Sequence, residues 1–296
     1  MSGETSPILS LAIDDHLMAE PSNVRLQLSN RSENVLLVRE MLSGVAEAVT
    51  LESSDLYDIR TAVTEACNNV VLHAYEGQEG PMEVDLRVSP EAVEVVVRDH
   101  GVGIRPRIRT ADEAALGIGL PLIQALVHSV EFSDANGKGT EVRMQFLMPS
   151  KCAFAPLHDD GDELPALEGE ELITTSALAI APAILARTVL PRILSVLAAR
   201  AHFSTDRISD AQLVADSLAA HAPGSLGADR LSLTVSVESR SLELCVGPLG
   251  AGSANRLILD SDVDGLGPVI EKLTDERRVA SVGSSEMLEL QLVDRS

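Results

Sequence analysis

The chain has no tryptophan, and only 2% of its 296 residues are aromatic. Its cores must therefore be built from Val, Leu, Ile and Ala, which suits helix-on-sheet layers of aliphatic side chains. Cysteine is nearly absent. Cys67, Cys152 and Cys245 are far apart, odd in number and without a Cys-x-x-Cys pair, so no zinc site is indicated and a reducing cytoplasm is the simplest compartment. Basic charge is scarce: 23 Lys and Arg face 45 Asp and Glu, for a formal net charge of −22. That argues against a nucleic-acid backbone or an anionic membrane as partner, and favours basic protein surfaces or plain solubility. Long apolar runs are missing too. The Leu178–Leu197 stretch is broken by Arg187, Arg192 and two prolines; it reads as a buried helix with a proline-marked start or kink. Met1–Ala12 carries no basic leader region.

What the chain does hold is 45% hydrophobic residues, too many for a wholly disordered protein, over a length that suits two domains. Residues 1–23 form a polar, acidic lead. From residue 24 to 149 the periodicity predicts β-α-α-β-β-loop-α-β-β. Val24–Leu28 alternates as a strand. Residues Val35 to Ala48 carry apolar positions at helical spacing behind Ser32 as N-cap, and Ser53-Ser-Asp55 starts a second helix running to Tyr75. Strands Met82–Val88 and Ala92–Arg98, a helix Pro121–His128, and a hairpin Val130–Ser133 with Thr140–Met148 complete the unit. The expected fold class is a two-layer α/β sandwich with one mixed, mostly antiparallel sheet. Residues 150–171 are an acidic linker containing Pro156, Gly161 and Pro165.

Residues 172–296 then echo the first unit. A helix is expected over Pro182–Ala201. Ser204-Thr-Asp206 sits where Ser53-Ser-Asp55 does, Gly250-Ala-Gly252 where Gly101-Val-Gly103 does, and Gly265-Leu-Gly267 where Gly117-Ile-Gly119 does. Gly283-Ser284 precedes a last strand, Met287–Val293. The offset drifts from about 151 at the serine cap to about 146 at the last turn, and order and spacing hold throughout, which points to a diverged duplication presenting the fold in tandem.

Four segments of the first unit carry chemistry. Glu65 and Asn69 lie one helical turn apart and share an edge of their helix. An Asn carbonyl is an apt single protein ligand for Mg²⁺, and a neighbouring Glu can act as a general base. Asp99 ends a Val-rich strand before Gly101 and Gly103; a carboxylate there can accept from the exocyclic amine of adenine, with glycines letting backbone pass close to the ring. Gly117 and Gly119 precede Leu120 and a helix start, whose free N–H groups attract phosphate. Gly137-Lys-Gly139-Thr140 makes a hairpin turn that can set Thr140 beside Asp99. Alone, each is an ordinary solvated helix face or glycine turn; their joint order is what carries weight. Arg105, Arg107 and Arg109, in the loop before Gly117, are available to phosphate or a partner, or are simply solvated. His73 is expected to be packed or capping, and Cys67 a buried apolar group.

In this order the segments resemble the N, G1, G2 and G3 boxes of the GHKL ATPase superfamily. Glu65, Ala66, Asn69, His73, Ala74 and Tyr75 are similar to the Glu-Ala-x-x-Asn-x-x-x-His-Ala-Tyr pattern of bacterial anti-sigma-factor serine kinases. The resemblance covers about residues 24–149. It implies a histidine-kinase-like ATPase fold with ATP and Mg²⁺ as cofactors, Glu65 as catalytic base, Asn69 on the metal, and Asp99 on adenine. Gly101, Gly103, Gly117, Gly119, Leu120, Gly139 and Thr140 would shape the pocket. It also implies transfer of the γ-phosphate to a serine of a STAS-type anti-anti-sigma protein and sequestration of a sigma factor, usually by a homodimer. Other readings are an ATP-binding regulator that sequesters without phosphorylating, and the catalytic module of a histidine kinase. In the second unit the stretch matching Glu65–Asn69 reads Leu213 to Ser217, or a register close by with Asp216 near, and the place of Asp99 falls near Pro248. That unit is expected not to bind ATP well, and to stand in for a partner subunit within one chain.

Overall fold

The computed structural model describes residues 23–103, 119–134, 139–148, 174–226, 229–263 and 266–295. The lead, the acidic linker, Gly117, Gly137, Gly265 and the three loop arginines lie outside them. Strand β1 (Val24–Ser29) is followed by α1 (Asn34–Ala48) and α2 (Ser53–Asn69), which runs on into a π-helical turn, Val70–Ala74. Then come β2 (Pro81–Val88), β3 (Ala92–Asp99), α3 (Gly119–Leu126), β4 (Ser129–Ser133) and β5 (Thr140–Leu147). The second half holds β6 (Thr175–Ile180), α4 (Ala186–Arg200), α5 (Thr205–His221), β7 (Leu231–Glu238), β8 (Ser241–Gly250) and α6 (Ser253–Asp260). A two-stranded pair follows, β9 (Asp262–Val263) with β10 (Gly267–Pro268), then α7 (Val269–Leu273), β11 (Glu276–Val282) and β12 (Ser285–Val293).

Ten strands make one sheet in the order β11-β12-β8-β7-β6-β1-β2-β3-β5-β4. Every neighbouring pair in it is antiparallel, so the mostly antiparallel sheet read from the sequence is wholly antiparallel among the described strands. Period-2 alternation sends one row of side chains to the helices. In the first half that row runs Leu26, Val84, Val97, Val142, Phe132 across paired positions. In the second it runs Leu178, Leu233, Val246, Leu288, Val279, and Leu26 pairs with Leu178 where the halves meet. The row and the helices above it form one continuous core through both halves.

Several local expectations change. The Leu178–Leu197 run is not one helix: its first three residues end β6, and α4 begins only at Ala186. All six β6 residues are buried, and a strand covered on both faces shows no alternation that would separate it from a buried helix. Strand β11 and helix α6 are elements the periodicity did not predict. Ser32 does not cap α1, which starts at Asn34, whose amide donates to the Ser29 carbonyl and hydroxyl at 2.8 and 2.9 Å. No side chain caps α2, whereas Ser204 accepts from the Arg207 N–H at 3.4 Å and caps α5.

Candidate functional site

Helix α2 buries Ile59, Ala62, Val63, Ala66 and Cys67, and burial pushes the Cys67 thiol up to about 12. Glu65 and Asn69 flank that stripe and are half-buried, as expected of a helix edge facing a cleft. The first residue of α3 lies directly against Glu65: a Cβ on Gly119 would sit 2.0 Å from Glu65 Oε1. The segments bearing the candidate base and the second glycine pair are therefore in contact, and the bare Cα of Gly119 leaves the Glu65 carboxylate its place. Leu120 beside it is half-exposed at 44%.

The far end of α2 meets the third segment. The Ala74 carbonyl, closing the π turn, accepts from the Val102 N–H at 2.9 Å, and a Cβ on Gly101 would lie 2.0 Å from that oxygen. Strand β3 delivers Asp99 to the same place, 3% exposed. Its carboxylate accepts from the Gly101 N–H at 2.9 Å and from the main-chain N–H and hydroxyl of Thr140, its register partner on β5. Burial raises the Asp99 pKa above the ordinary value in spite of these hydrogen bonds. Gly139 closes the set: it has φ +86°, and a Cβ there would meet the Asp99 carbonyl oxygen at 1.9 Å. Gly103, with φ +73°, lies against the Gly139 carbonyl. Asp99, Gly101, Gly103, Gly139 and Thr140 thus gather at the ends of β3 and β5 beside the π turn, and Glu65 meets Gly119 further back along α2. Gly117 falls outside the described residues.

The family model for the histidine kinase-like ATPase domain matches residues 28–146, the stretch that holds this gathering. Serine-protein kinase RsbW of Bacillus pumilus (strain SAFR-032) is 32% identical over 139 residues, which covers 42% of this chain and 85% of that protein. The chain belongs to the GHKL anti-sigma kinase family. Anti-sigma F factor of Thermoanaerobacter sp. (strain X514) is 29% identical over 129 residues, 41% of this chain and 90% of that protein. Serine-protein kinase RsbW of Bacillus cereus (strain AH820) is 24% identical over 164 residues, 51% of this chain and 99% of that protein.

In this member of the family, Tyr75 has a part that its place in the motif did not predict. Its hydroxyl donates to the Pro81 carbonyl at 2.5 Å and accepts from the His100 N–H at 2.8 Å, tying the π turn to β2 and to the residue after Asp99. Its ring covers Gly80, where a Cβ would lie 2.1 Å away. Burial raises the phenol to about 12, so it stays a donor at neutral pH. The His100 ring sits 3.3 Å from Glu83, whose carboxylate raises its pKa above the ordinary imidazole value. His73 is neither packed nor a cap; it is exposed on the π turn. Val70 and Ala74 are the residues of that turn that face the core. No helix among the described residues is long and apolar enough to cross a membrane.

Proposed function

We propose that this chain is an ATP-dependent protein serine kinase that phosphorylates a STAS-type anti-anti-sigma protein and sequesters a sigma factor. The observation that carries the reading is the Glu65 carboxylate resting on Gly119 with Asn69 one turn further along α2. The donor set fits a magnesium nucleotide: one amide oxygen for a metal that keeps mostly water and phosphate ligands, a buried carboxylate for an amine, and glycines at three places where segments of the site press together too closely for a Cβ. Bound Mg-ATP would supply the phosphoryl group. Glu65 would take the proton of the substrate serine hydroxyl as its oxygen attacks phosphorus and ADP leaves. Asn69 would lend its side-chain oxygen to the metal. Asp99, held by Gly101 and Thr140, would accept from the adenine amine, while Gly101, Gly103, Gly119, Gly139 and the Leu120 side chain border the pocket. The strongly acidic chain favours partners with basic surfaces.

Incubation with labelled ATP and STAS proteins of the same genome, followed by phosphoserine mapping, tests the reading. Glu65→Gln should abolish transfer and keep nucleotide binding, and Asn69→Ala should weaken Mg-ATP binding. If Glu65→Gln leaves partner regulation unaltered, the chain is instead an ATP-binding sequestering regulator.

A further inference from the structure

We infer that residues 172–296 are a diverged second copy of the ATPase unit that occupies the place of a partner subunit, so that one chain is a complete pseudodimer with a single nucleotide site. The element lengths agree pairwise: β1 and β6 have 6 residues, α1 and α4 have 15, α2 and α5 have 17, β2 and β7 have 8. The strand order reads the same outward from the β1–β6 seam in both directions. Buried Leu37, Val38, Met41, Leu42 and Val45 on α1 recur on α4, at one constant offset, as Val189, Leu190, Ile193, Leu194 and Leu197. The same offset carries Thr50, with φ +53°, onto His202, with φ +60°. Positive φ is uncommon for any residue but glycine and strained for a β-branched threonine, so the coincidence speaks for common descent rather than for two unrelated layers.

The seam has the form of an isologous contact, in which each half offers the same surface to the other. β1 pairs antiparallel with β6 about Leu26 and Leu178, and α1 crosses α4 so closely that a Cβ on Gly44 would lie 2.6 Å from the Thr188 carbonyl oxygen. One difference sets it apart from a pair of identical copies. Glu33, Glu40 and Glu47 recur every seventh residue on α1, and across the seam they meet arginines: Arg192 reaches Glu47 at 2.6 Å and Glu40 at 3.5 Å, and Arg200 reaches Glu33 at 3.2 Å. With a second α1 in the place of α4, Glu40 would stand where Arg192 does, against Glu40 and Glu47, and Ala48 where Arg200 does, leaving Glu33 without its arginine. The charges favour the internal partner over a second chain.

The second copy has also lost its site. With α5 at the offset of α2, Ser217 stands for Glu65 and His221 for Asn69; the sequence register Leu213–Ser217 is four residues early. Counted outward from the paired Val97 and Val142 and from their counterparts Val246 and Leu288, Pro248 stands at the place of Asp99 and Glu286 at that of Thr140, but a register shift in the second half pairs Glu286 with Leu249 instead. Glu286 turns its carboxylate onto the N–H groups of Gly252 and Ala254 at 2.8 and 3.0 Å, at the start of α6. That helix buries Ala254 and Leu257, and α7 buries Val269 and Ile270, all at 0% exposure. Among the described residues between β8 and β11, both helices are anchored in the core, and the Glu286 carboxylate occupies the backbone N–H groups at the start of α6.

Light scattering on the full chain across a dilution series, with equilibrium binding of a non-hydrolysable ATP analogue, tests this. The expected result is one species of 31.4 kDa at every concentration, binding one nucleotide per chain, with Asn69→Ala weakening that site and exposing no other. A tight species of double mass at the lowest concentration, or two nucleotides per chain, would overturn it. The nucleotide arm rests on the ATP-binding reading and the mass arm does not. A monomer that binds no nucleotide would support the pseudodimer and sink the kinase.

Discussion

Gly119→Ala separates fold from chemistry at one atom. The new Cβ would stand 2.0 Å from Glu65 Oε1 and 2.8 Å from Glu65 Cδ, where ordinary contact begins at 3.4 Å. The obstacle is the far end of a flexible side chain, so the fold need not give; Glu65 withdraws its carboxylate by about 1.4 Å, the gap to ordinary contact. Alanine at the start of α3 adds helix propensity worth up to about 1 kcal/mol, so the melting temperature should hold or rise slightly. Catalysis should not. A misplacement on the order of 1 Å can cost about 10²-fold, or ~2.7 kcal/mol of barrier, and Glu65 is the group asked to take the serine proton. Single-turnover phosphorylation of the STAS substrate, read beside ATP-analogue affinity and thermal melting, gives the three quantities together. A variant that phosphorylates as fast as the parent would refute the argument, since the base would then work from a place that the structure does not give it. A variant that melts many degrees lower would refute it differently, by showing that the backbone moves instead of Glu65.

Gly44→Ala should act in the opposite sense. Its Cβ would meet backbone, the Thr188 carbonyl at 2.6 Å and Val189 Cα at 2.9 Å, and overpacking of this kind costs about 1–3 kcal/mol, more than helix propensity returns. Thermal melting should fall by several degrees; a rise would mean that α1 and α4 are not held in contact. Asp99→Asn should weaken nucleotide binding without lowering stability at neutral pH. Burial raises the Asp99 pKa in the folded chain, so the folded state takes up that proton more readily than the unfolded state, and the charge is a liability above the folded pKa that disappears as pH falls through it. The stability of the variant relative to the parent should therefore be greatest at neutral pH and shrink on acidification. Chemical denaturation at several pH values measures this, and a difference that grows towards acid would contradict it.

Much of the fold was legible because alternation and helical spacing survive wherever an element has one wet face. Val84, Leu86 and Val88 on β2, or Ile59, Val63 and Ala66 on α2, announce their element and their buried side together. Two failures are related; β11, missed although four of its residues are exposed, is not one of them. β6 is buried along its whole length, so it shows no alternation, and the apolar run continues through Pro182 into a helix. The π turn after Asn69 is invisible for a related reason: one extra residue per turn shifts the stripe by too little to break an apolar pattern over five positions.

The site was legible as spacing but not as contact. Glu65 and Asn69 declare a shared helix edge, and Asp99 declares a strand end. Nothing local states that Gly119 is a glycine for the sake of Glu65, Gly101 for the Ala74 carbonyl, or Gly139 for the Asp99 carbonyl. Each of those glycines lies far along the chain from the group it admits, so its reason exists only once the sheet has closed. Tyr75 shows the same limit from the polar side. Its hydroxyl joins Pro81 to His100, and removing it as Tyr75→Phe would leave the Pro81 carbonyl without its donor and the His100 N–H without its acceptor. The residues that hold this site together are thus of two kinds, those whose chemistry can be read one at a time and those that matter for what they leave room for.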